Sequence, residues 1–315
     1  MQIDSTSRSE QDAAVTLFTV IVLYKLRPQQ SPSYLTLLNA ASRVGAEKLR
    51  IKVLLYDNSP SAWEQGLLPE GVSYERTSEN RGLADAYNRA LEMAEGENCR
   101  WLLTLDQDTT LPEDFLVKLV ETIDQVQKSP SVAAVVPQIV DQGRMLSPNY
   151  LVLDAIPRFF PKGFIGISAR KTFAFNSAST LRISALREVG GYSPLFWLDY
   201  CDAYIYSRLN AAGKTIYVAG DIEVEHEFSM FDFKTRVSLE RYKNIVNAGC
   251  AFWDTEQGNL AGLYHTASLV YRLYKHWKRG DDPELGRVTR DMLKKRLTHS
   301  KRHRIEQWKA GTIDR

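Results

Sequence analysis

Short apolar runs alternate with helical patterns over the first 110 residues, and this alternation restricts the fold more than any other feature of the sequence. The run LFTVIVLY at 17–24 is nearly continuous and rich in β-branched residues, which is typical of a strand buried on both faces of a parallel sheet. Strands are predicted likewise at 51–56, 72–75 and 101–105, and helices at 33–44 and 82–94. The pattern therefore predicts an α/β fold with right-handed βαβ units, whose ligands bind beyond the carboxyl ends of the strands.

The second half of the chain continues the alternation more loosely and then becomes helical. Helices are predicted at 111–127, 184–189 and 199–212, and strands at 132–136, 173–183, 215–219 and 223–226. Beyond about residue 235 only helical patterns are found. The segment 138–164 contains three prolines and two glycines and has no clear period, so a mobile loop and a short meander both remain open for it.

The total charge is close to neutral, but the charges are unevenly distributed along the chain. Lys and Arg number 40 and Asp and Glu 38, yet from Thr266 to the end there are 14 basic and 6 acidic residues, a net charge of +8. The remainder has 26 basic and 32 acidic residues, a net charge of −6. We therefore predict a polar tail over 1–14, an acidic α/β domain over 15–235 and a basic helical extension over 236–315.

The sequence gives no indication of a membrane-spanning or secreted protein. Its longest apolar run, 13–24, has twelve residues including two threonines, whereas a spanning helix needs about 20. The N-terminus is polar and acidic, unlike the basic and then apolar start of a signal peptide. The three cysteines, Cys99, Cys201 and Cys250, form no C-x-x-C pair, and we expect them to be reduced, buried thiols in a cytoplasmic protein.

Two aspartates directly follow the fourth predicted strand. Asp106 and Asp108, with Gln107 between them, stand where the chain turns at the sheet edge. Carboxylates at this spacing face one hard cation if the backbone turns between them, and oxygen ligands suit Mg²⁺ or Mn²⁺. Because Mg²⁺ usually completes its coordination with water and substrate phosphate, the pair predicts a diphosphate ligand. A solvated acidic turn is the alternative.

His226 ends the last predicted strand and is the only histidine before residue 265. A strand end places it at the same sheet edge as the two aspartates, where we expect it to supply a third metal ligand. The alternative is a half-buried histidine within the acidic run 223–227.

A third group of candidate residues lies in the sequence GGYSPLFWLDYCD at 190–202. A glycine turn leads through aromatic residues to two aspartates at the start of a predicted helix. Asp199 is expected to cap this helix, and Asp202, one turn further on, to project into the cleft as a general base. The alternative is that both carboxylates only favour the positive end of the helix dipole.

These segments occur in the order found in family 2 glycosyltransferases, and the chain resembles that family over about residues 15–230. The form LDQDT at 105–109, followed by FWLDYCD at 196–202, is most similar to the bacterial rhamnosyltransferase branch. The other matching pieces are Tyr24, YDNS at 56–59, ENRGLA at 79–84, Asn88, GGY at 190–192, Arg208 and His226.

The resemblance implies the GT-A fold, a Rossmann-like, mostly parallel mixed sheet that is flanked by helices. Its first half, 15–110, would bind a nucleotide-diphosphosugar donor, and its second half, 111–235, the acceptor. Asp57 would contact the nucleotide base. The other residues implied at the donor site are Tyr24, Asn80, Gly82, Asn88, Asp106 and Gln107.

The resemblance also assigns roles around a bound Mg²⁺ or Mn²⁺. Asp108 is implied as the direct metal ligand, Asp106 as a contact to the ribose or, through water, to the metal, and His226 as a further ligand. Asp202 is implied as the base that deprotonates the acceptor hydroxyl. Asp199 remains its rival, because Cys201 stands where family members often carry Glu.

The activity implied is a metal-dependent, inverting transfer of a sugar, with L-rhamnose from dTDP-rhamnose favoured, to a cell-surface polysaccharide or lipid-linked glycan. A transferase of the same fold that uses a UDP- or GDP-sugar is the alternative. A nucleotidyltransferase would need a glycine-rich loop after the first strand, where this chain has KLRP at 25–28. A non-catalytic carbohydrate-binding or scaffold protein is expected to lack one of Asp108, Asp202 and His226, and all three are present.

The basic extension mixes cations with aromatic and aliphatic residues at 263–277 and again at 292–308. Basic helices with aromatic residues can bind to anionic membrane surfaces, where each cation contributes about 1 kcal/mol. Peripheral contact with the inner face of the plasma membrane would suit a lipid-linked acceptor. A helical subdomain or a homodimer contact is the alternative, and no nucleic-acid partner is expected because no binding module is recognised.

Overall fold

The computed structural model describes residues 14–61, 67–153, 156–226 and 238–310. Within these ranges a mixed, mostly parallel sheet is flanked by helices and followed by a helical C-terminal region, as predicted. Residues 1–13 of the predicted tail, and the junction at 227–237, lie outside the described residues. The domain limits at 14/15, 110/111 and 235/236 therefore stay predictions.

The first half forms a four-stranded parallel sheet in the order β3-β2-β1-β4. Its strands are β1 (Val15–Leu23), β2 (Leu49–Asp57), β3 (Val72–Arg76) and β4 (Trp101–Asp106). Helix α1 (Pro32–Ala41) connects β1 to β2, and α2 (Gly82–Gly96) connects β3 to β4. β1 lies between two neighbours and is buried along nearly its whole length, in accordance with its apolar sequence.

The second half extends this sheet beyond β4. Its strands are β5 (Thr109–Thr110), β6 (Val132–Asp141), β7 (Arg144–Ser147), β8 (Asn149–Val152), β9 (Ile156–Phe159), β10 (Ile165–Ser168), β11 (Thr172–Phe173), β12 (Ser179–Arg182) and β13 (Thr215–His226). β12 runs antiparallel between β4 and β6, and β13 lies parallel to β6. β8, β9 and β11 form a separate antiparallel sheet, so 138–164 is a meander within its described residues.

The segment 173–183 was predicted as one strand, and this is wrong. β11 ends at Phe173 and β12 begins at Ser179, because the backbone between them turns at Ala178, whose φ is +60°. The Ala178 N–H donates to the carbonyl of Thr104 in β4 at 2.8 Å. This turn places Asn176 and the residue that follows it at the carboxyl end of β4.

The helices of the second half are α3 (Phe115–Val126), α4 (Ile183–Glu188), α5 (Cys201–Ala211), α6 (Leu239–Thr255), α7 (Asn259–Arg279), α8 (Pro283–Thr298) and α9 (Lys301–Lys309). α3 starts later than predicted, because Pro112 lies in a preceding turn that is closed by the Phe115 N–H. None of the helices in the described ranges is long and apolar enough to span a membrane.

Side chains of β1 contribute to two separate cores, one on each face of the sheet. Phe18 and Val20 pack with α2, α4, α5 and the C-terminal helices. Leu17 and Ile21 pack with α1 and α3 on the other face. Full burial of such a side chain contributes about 1.5–3 kcal/mol, so the two cores hold the strands and their carboxyl ends in place.

A buried carboxylate joins three of the four C-terminal helices. Asp254 of α6 is 1% exposed and accepts hydrogen bonds from Arg296 of α8 (3.0 Å) and from Arg304 (2.8 and 2.9 Å) and Trp308 (3.1 Å) of α9. Burial raises the pKa of Asp254, but the hydrogen bonds from Arg304 and the charge of Arg296 outweigh it, so the pKa is lowered from its ordinary value. The helical region is therefore held by a paired buried charge as well as by apolar contacts.

Replacing this carboxylate should strongly destabilise the protein. Asp254→Asn leaves two buried guanidinium groups without their counter-charge, and we expect the free energy of unfolding, measured in urea, to fall by about 3–5 kcal/mol. The control is Asp291→Asn in α8, whose side chain is 65% exposed and 3.6 Å from Arg287; it should change stability by at most about 0.5 kcal/mol. A loss below about 1 kcal/mol for Asp254→Asn would contradict this account.

Candidate active site

The carboxyl ends of parallel strands bring several candidate residues to one edge of the sheet. Asp57 at the end of β2 and Asp106 at the end of β4 pair with the last two residues of β1. The two aspartates therefore flank the end of β1 from opposite sides. β13 ends at His226, which pairs with Thr109 of β5 just beyond Asp106. The predicted convergence of the metal-ligand candidates at this edge thus has a basis in the strand pairing.

The turn at 106–109 is held by two serines that the sequence pattern did not identify. Ser33 Oγ, in the first turn of α1, accepts the Thr109 N–H at 2.9 Å and contacts the carbonyl oxygen of Asp106. Ser177 Oγ, from the turn before β12, accepts the Asp106 N–H at 3.3 Å and contacts Thr109 Oγ1. No local signal marks these serines, because each acts on a turn that is distant in the sequence.

Asp108 and His226 lie close together beside this turn. His226 Nδ1 is 3.6 Å from Asp108 Oδ1 and 3.2 Å from Thr109 Oγ1. Asp106 Oδ1 accepts a hydrogen bond from the Tyr87 hydroxyl at 3.3 Å. Burial raises the pKa of Asp106; the neighbouring His226 opposes this effect, and the charge of Asp108 adds to it. The three candidate ligands therefore act on one another electrostatically.

Asp108 and His226 could supply two of the ligands of a divalent cation. Asp108 and His226 offer a carboxylate oxygen and an imidazole nitrogen, donor types that suit Mn²⁺ or Mg²⁺. Within the described ranges no three His, Cys, Asp or Glu side chains are grouped to hold a metal ion. Two protein ligands suffice for a cation that completes its coordination with water and diphosphate oxygens. Asp106 as a third ligand stays a prediction.

Three of the candidate donor-site residues lie at the ends of β1, β2 and β4. Asp57 is buried, and its Oδ1 and Oδ2 accept hydrogen bonds from the Ser59 N–H (2.8 Å) and the Tyr74 hydroxyl (2.5 Å). The Tyr24 N–H donates to Gln107 Oε1 at 2.8 Å, and its side chain is 41% exposed. Asp57 therefore fixes the turn after β2, and its contact with a base stays a prediction, as do ligand contacts of Tyr24 and Gln107.

The other candidates join the start of α2 to the segment 190–202. Gly82 begins α2 with a φ of +80°, and a Cβ there would lie 2.2 Å from the carbonyl oxygen of Trp197. Asn80 Oδ1 accepts the Gly82 N–H at 3.0 Å. The Asn88 amide donates to the Tyr192 carbonyl (2.8 Å) and accepts the Tyr192 N–H (2.9 Å). The two Asn88 bonds connect the two predicted halves, and ligand contacts of Asn80, Gly82 and Asn88 stay predictions.

A helix cap separates Asp199 from Asp202. α5 begins at Cys201 and its N-cap is Tyr200, with a φ of +64°, so the prediction that Asp199 caps this helix is wrong. The physical reason is a stronger partner: Asp199 Oδ1 accepts a charged hydrogen bond from Arg241 Nη2 of α6 at 2.9 Å. Asp202 lies in the first turn of α5, and its Oδ1 accepts the N–H of the following residue at 2.7 Å.

The pKa values of Asp199 and Asp202 are both raised toward neutral pH. Burial raises the pKa of Asp202 to about 7; the hydrogen bond from the following N–H opposes this, and the charges of Asp106 and Asp199 add to it. Burial raises the pKa of Asp199 to about 6, and the Arg241 charge opposes the rise. A carboxyl group with a pKa near 7 is suited to accept a proton at neutral pH. Because Asp106 acts on it, Asp202 lies within electrostatic reach of the candidate metal ligands.

Residues 36–190, just under half of the chain, match the model of the family described as glycosyl transferase family 2. The match supports assignment of the chain to that family and a glycosyl-transfer function. No curated protein sequence matches the chain.

A solved structure supports the fold. A crystal structure of GalNAc-T7 with UDP, GalNAc and Mn²⁺ is similar at a TM-score of 0.55 and 16% identity, over 93% of this chain and 56% of that one, so this chain spans little more than half of that protein's length. S. aureus TarS gives a TM-score of 0.49 at 11% identity (83% of this chain, 44% of that), and its fragment 1–349 gives 0.47 at 13% (94% and 92%). With the family match, the first similarity confirms the predicted GT-A fold.

The raised pKa of Asp202 predicts a pH-dependent stability effect. Its folded-state pKa lies above the unfolded value of about 3.9, so the folded protein binds the proton more tightly and loses stability as pH rises from about 4 to 7. Asp202→Asn removes this loss. Without metal or nucleotide, the variant should gain about 1–3 kcal/mol more free energy of unfolding, relative to wild type, at pH 8 than at pH 4.5.

Urea unfolding at the two pH values measures this difference. The control is Asp221→Asn, an exposed aspartate of β13, which should show the same stability change at both pH values. A pH-independent effect of Asp202→Asn would show that Asp202 titrates normally in the folded protein.

Proposed function

We propose that the chain is a metal-dependent, inverting glycosyltransferase that moves L-rhamnose from dTDP-rhamnose to a cell-surface polysaccharide or lipid-linked glycan. The observation that carries the proposal is the meeting of Asp106, Asp108 and His226 at one sheet edge, within electrostatic reach of Asp202. The family match supports glycosyl transfer. The choice of rhamnose is supported by the LDQDT and FWLDYCD sequences, and a UDP- or GDP-sugar donor is the second candidate.

The proposed reaction is a single displacement. Asp202 takes the proton from the acceptor hydroxyl, whose oxygen forms a bond to the anomeric carbon of the donor. The bond from that carbon to the diphosphate oxygen breaks, and the nucleoside diphosphate leaves with the electron pair. Because attack occurs on the face opposite the leaving group, the configuration inverts. A pKa of about 7 gives Asp202 both a substantial ionised fraction and enough basicity at neutral pH.

The residues of the sheet edge prepare the donor for this step. Asp108 and His226 would hold a Mg²⁺ or Mn²⁺ ion, which neutralises charge on the leaving diphosphate when bound. Ser33 and Ser177 hold the turn that carries Asp108, and Thr109 contacts His226 Nδ1. These bonds orient the ligand side chains before the substrate arrives, which is what outer partners of a metal site generally do.

The removal of the proposed base tests the mechanism. Asp202→Asn should lower kcat for sugar transfer by about 100-fold or more, because the amide cannot take the acceptor proton. Donor affinity should be unchanged, because Asp202 acts on the acceptor. Affinity is measured by thermal shift with dTDP-rhamnose, UDP-sugars and GDP-sugars, each with and without Mn²⁺; a ligand at 100 times its Kd stabilises the protein by about 2.7 kcal/mol.

Two outcomes would contradict different parts of the proposal. Full transfer activity in Asp202→Asn would remove Asp202 from the mechanism, and the exposed Asp221→Asn variant is the matched control that should keep full activity. If no nucleotide-sugar stabilises the wild type in a Mn²⁺-dependent way, the glycosyltransferase proposal itself fails. A stabilising UDP- or GDP-sugar in place of dTDP-rhamnose would select the second candidate.

We propose in addition that the C-terminal helices hold the enzyme on the inner face of the plasma membrane, where a lipid-linked acceptor is presented. α7 carries large exposed apolar side chains at helical spacing over its 21 residues. Trp277 is 79% exposed, and the Tyr274 ring lies 6.0 Å from it. The members of this surface, here called the α7 stripe, are Leu260, Leu263, Tyr264, Val270, Tyr271, Tyr274 and Trp277.

Charge and side-chain type favour an anionic lipid surface over a second copy of the chain. α7 contains four Lys and Arg residues and no Asp or Glu. Lys275 Nζ lies 4.7 Å from the centre of the Tyr271 ring, so cation and aromatic ring are adjacent at the edge of the stripe. Tyr and Trp favour the boundary between lipid and water, and anionic lipids attract cations. A homodimer through the α7 stripe would instead bring like charges together.

Vesicle binding by the full chain tests this surface. Replacing Tyr274 and Trp277 together by Ser should weaken binding to vesicles that contain anionic phosphatidylglycerol by at least about 10-fold. The reason is that the variant lacks the two aromatic side chains that would be buried in the lipid. The control is Leu35→Ser in α1, a side chain 50% exposed, which should bind like wild type. Unchanged vesicle binding by the double variant contradicts the proposal, and a dimer lost in that variant would identify the stripe as a self-association surface.

A further inference from the structure

The first helix of the C-terminal region contacts the start of α5 at two points. Arg241, in the first turn of α6, donates from Nη2 to Asp199 Oδ1 at 2.9 Å. Two to three turns further along α6, Gly249 and Phe252 lie against the ring of Tyr200. The Tyr200 and Phe252 ring centres are 5.6 Å apart, and a Cβ on Gly249 would lie 2.9 Å from Tyr200 Oη.

The two contacts stabilise an unfavourable backbone conformation at Tyr200 and an unfavourable buried charge at Asp199. Tyr200 has a φ of +64°, a left-handed conformation that costs a non-glycine residue about 1–2 kcal/mol and persists only where its surroundings enforce it. The Asp199 side chain is 10% exposed, and a carboxylate buried to this extent needs a compensating charge. α6 provides the packing for Tyr200 and the charge for Asp199.

Within the described part of the chain, one oxygen of the Asp199 carboxylate accepts a hydrogen bond and the other does not. Oδ1 is bonded to Arg241, whereas Oδ2 is buried and has no hydrogen-bond partner among the residues that the structure describes. A buried acceptor of this kind is costly unless a ligand satisfies it. Sugar hydroxyls are hydrogen-bond donors, and a bond to a carboxylate is about twice as strong as one between neutral groups.

We propose that Arg241 is a positioning residue of the transfer site, which fixes Asp199 so that its second oxygen accepts a hydrogen bond from a hydroxyl of the acceptor sugar. The inference rests on the proposed glycosyltransferase function and divides the two aspartates by role. Asp202 removes the proton, and Asp199 orients the acceptor. The C-terminal helical region is then part of the active site, because it supplies Arg241.

The electrostatic surroundings are consistent with this division. The charge of Arg241 opposes the rise in the pKa of Asp199 and acts in the same direction on Asp106, so its guanidinium group lies within electrostatic reach of the sheet edge. The negative charges of Asp106 and Asp199, in contrast, add to the rise in the pKa of Asp202. Arg241 thereby favours the charged, hydrogen-bond-accepting form of Asp199, whereas Asp202 has the higher pKa and is the stronger base.

Kinetics of four variants of the full chain test the proposal. Arg241→Gln should lower kcat/KM for the acceptor by about 10- to 100-fold, because a misplacement of about 1 Å has costs of this size. The Kd for dTDP-rhamnose with Mn²⁺ should stay unchanged. Arg241→Lys, which keeps the charge, should recover most of the activity. Asp199→Asn should resemble Arg241→Gln, and the double variant should be no worse than either single one, since the two residues act as a unit.

The control is Lys243→Gln, an exposed cation two residues further along α6, which should retain wild-type kinetics. Arg241→Gln kinetics equal to wild type, or additive losses in the double variant, would overturn the inference while the transferase function stands. A wild-type chain that transfers sugar from none of the dTDP-, UDP- or GDP-sugars would overturn the proposed function and this inference with it. Loss of donor affinity in Arg241→Gln would assign Arg241 to the donor instead.

Discussion

The pairing of β1 with β2 on one side and β4 on the other is the constraint on which the site depends. Because all three strands are parallel, their carboxyl ends meet at one edge, and the register places Asp57 and Asp106 beside the last two residues of β1. Adjacent strand backbones are about 4.8 Å apart, so the backbones of Asp57 and Asp106, on either side of β1, are about 10 Å apart. The two cores on either face of β1 hold this spacing, which makes the edge a rigid support for the nucleotide-sugar of the proposed reaction.

A hydrogen-bonded turn gives the candidate metal-ligand side chains at this edge a specific arrangement. Buried polar groups are generally bonded in folded proteins, and here Ser33, Ser177 and Thr109 satisfy the backbone and side chains around 106–109. Ser177 reaches the turn at 106–109 because the backbone turns just before β12. His226 reaches it because β13 extends to the same edge of the sheet. A loop without these partners would leave the carboxylates free to adopt many orientations in water.

The C-terminal helices are connected to this site as well as to one another. The buried Asp254 network joins α6, α8 and α9, so movement of one of these helices would disturb the others. α6 in turn contacts Asp199 and Tyr200 through Arg241 and Phe252. The α7 stripe lies on the same helical region. In the proposed arrangement, one rigid unit would thus join the acceptor side of the site to the membrane that presents the acceptor.

Much of the fold could be predicted from the sequence, because apolar runs and helical spacing are local properties. The strands β1 to β4, the helices α1 and α2, and the placing of Asp106, Asp108 and His226 at one edge all follow from such patterns. Local patterns could not predict the backbone turn before β12, the Tyr200 cap of α5 or the partners of Asp199. Ser33 and Thr109 are 76 residues apart, and Ser177 and Thr109 are 68 apart. Whether such side chains meet depends on how the strands and helices pack, so only the tertiary structure decided which residues orient the aspartates that the sequence had already brought together.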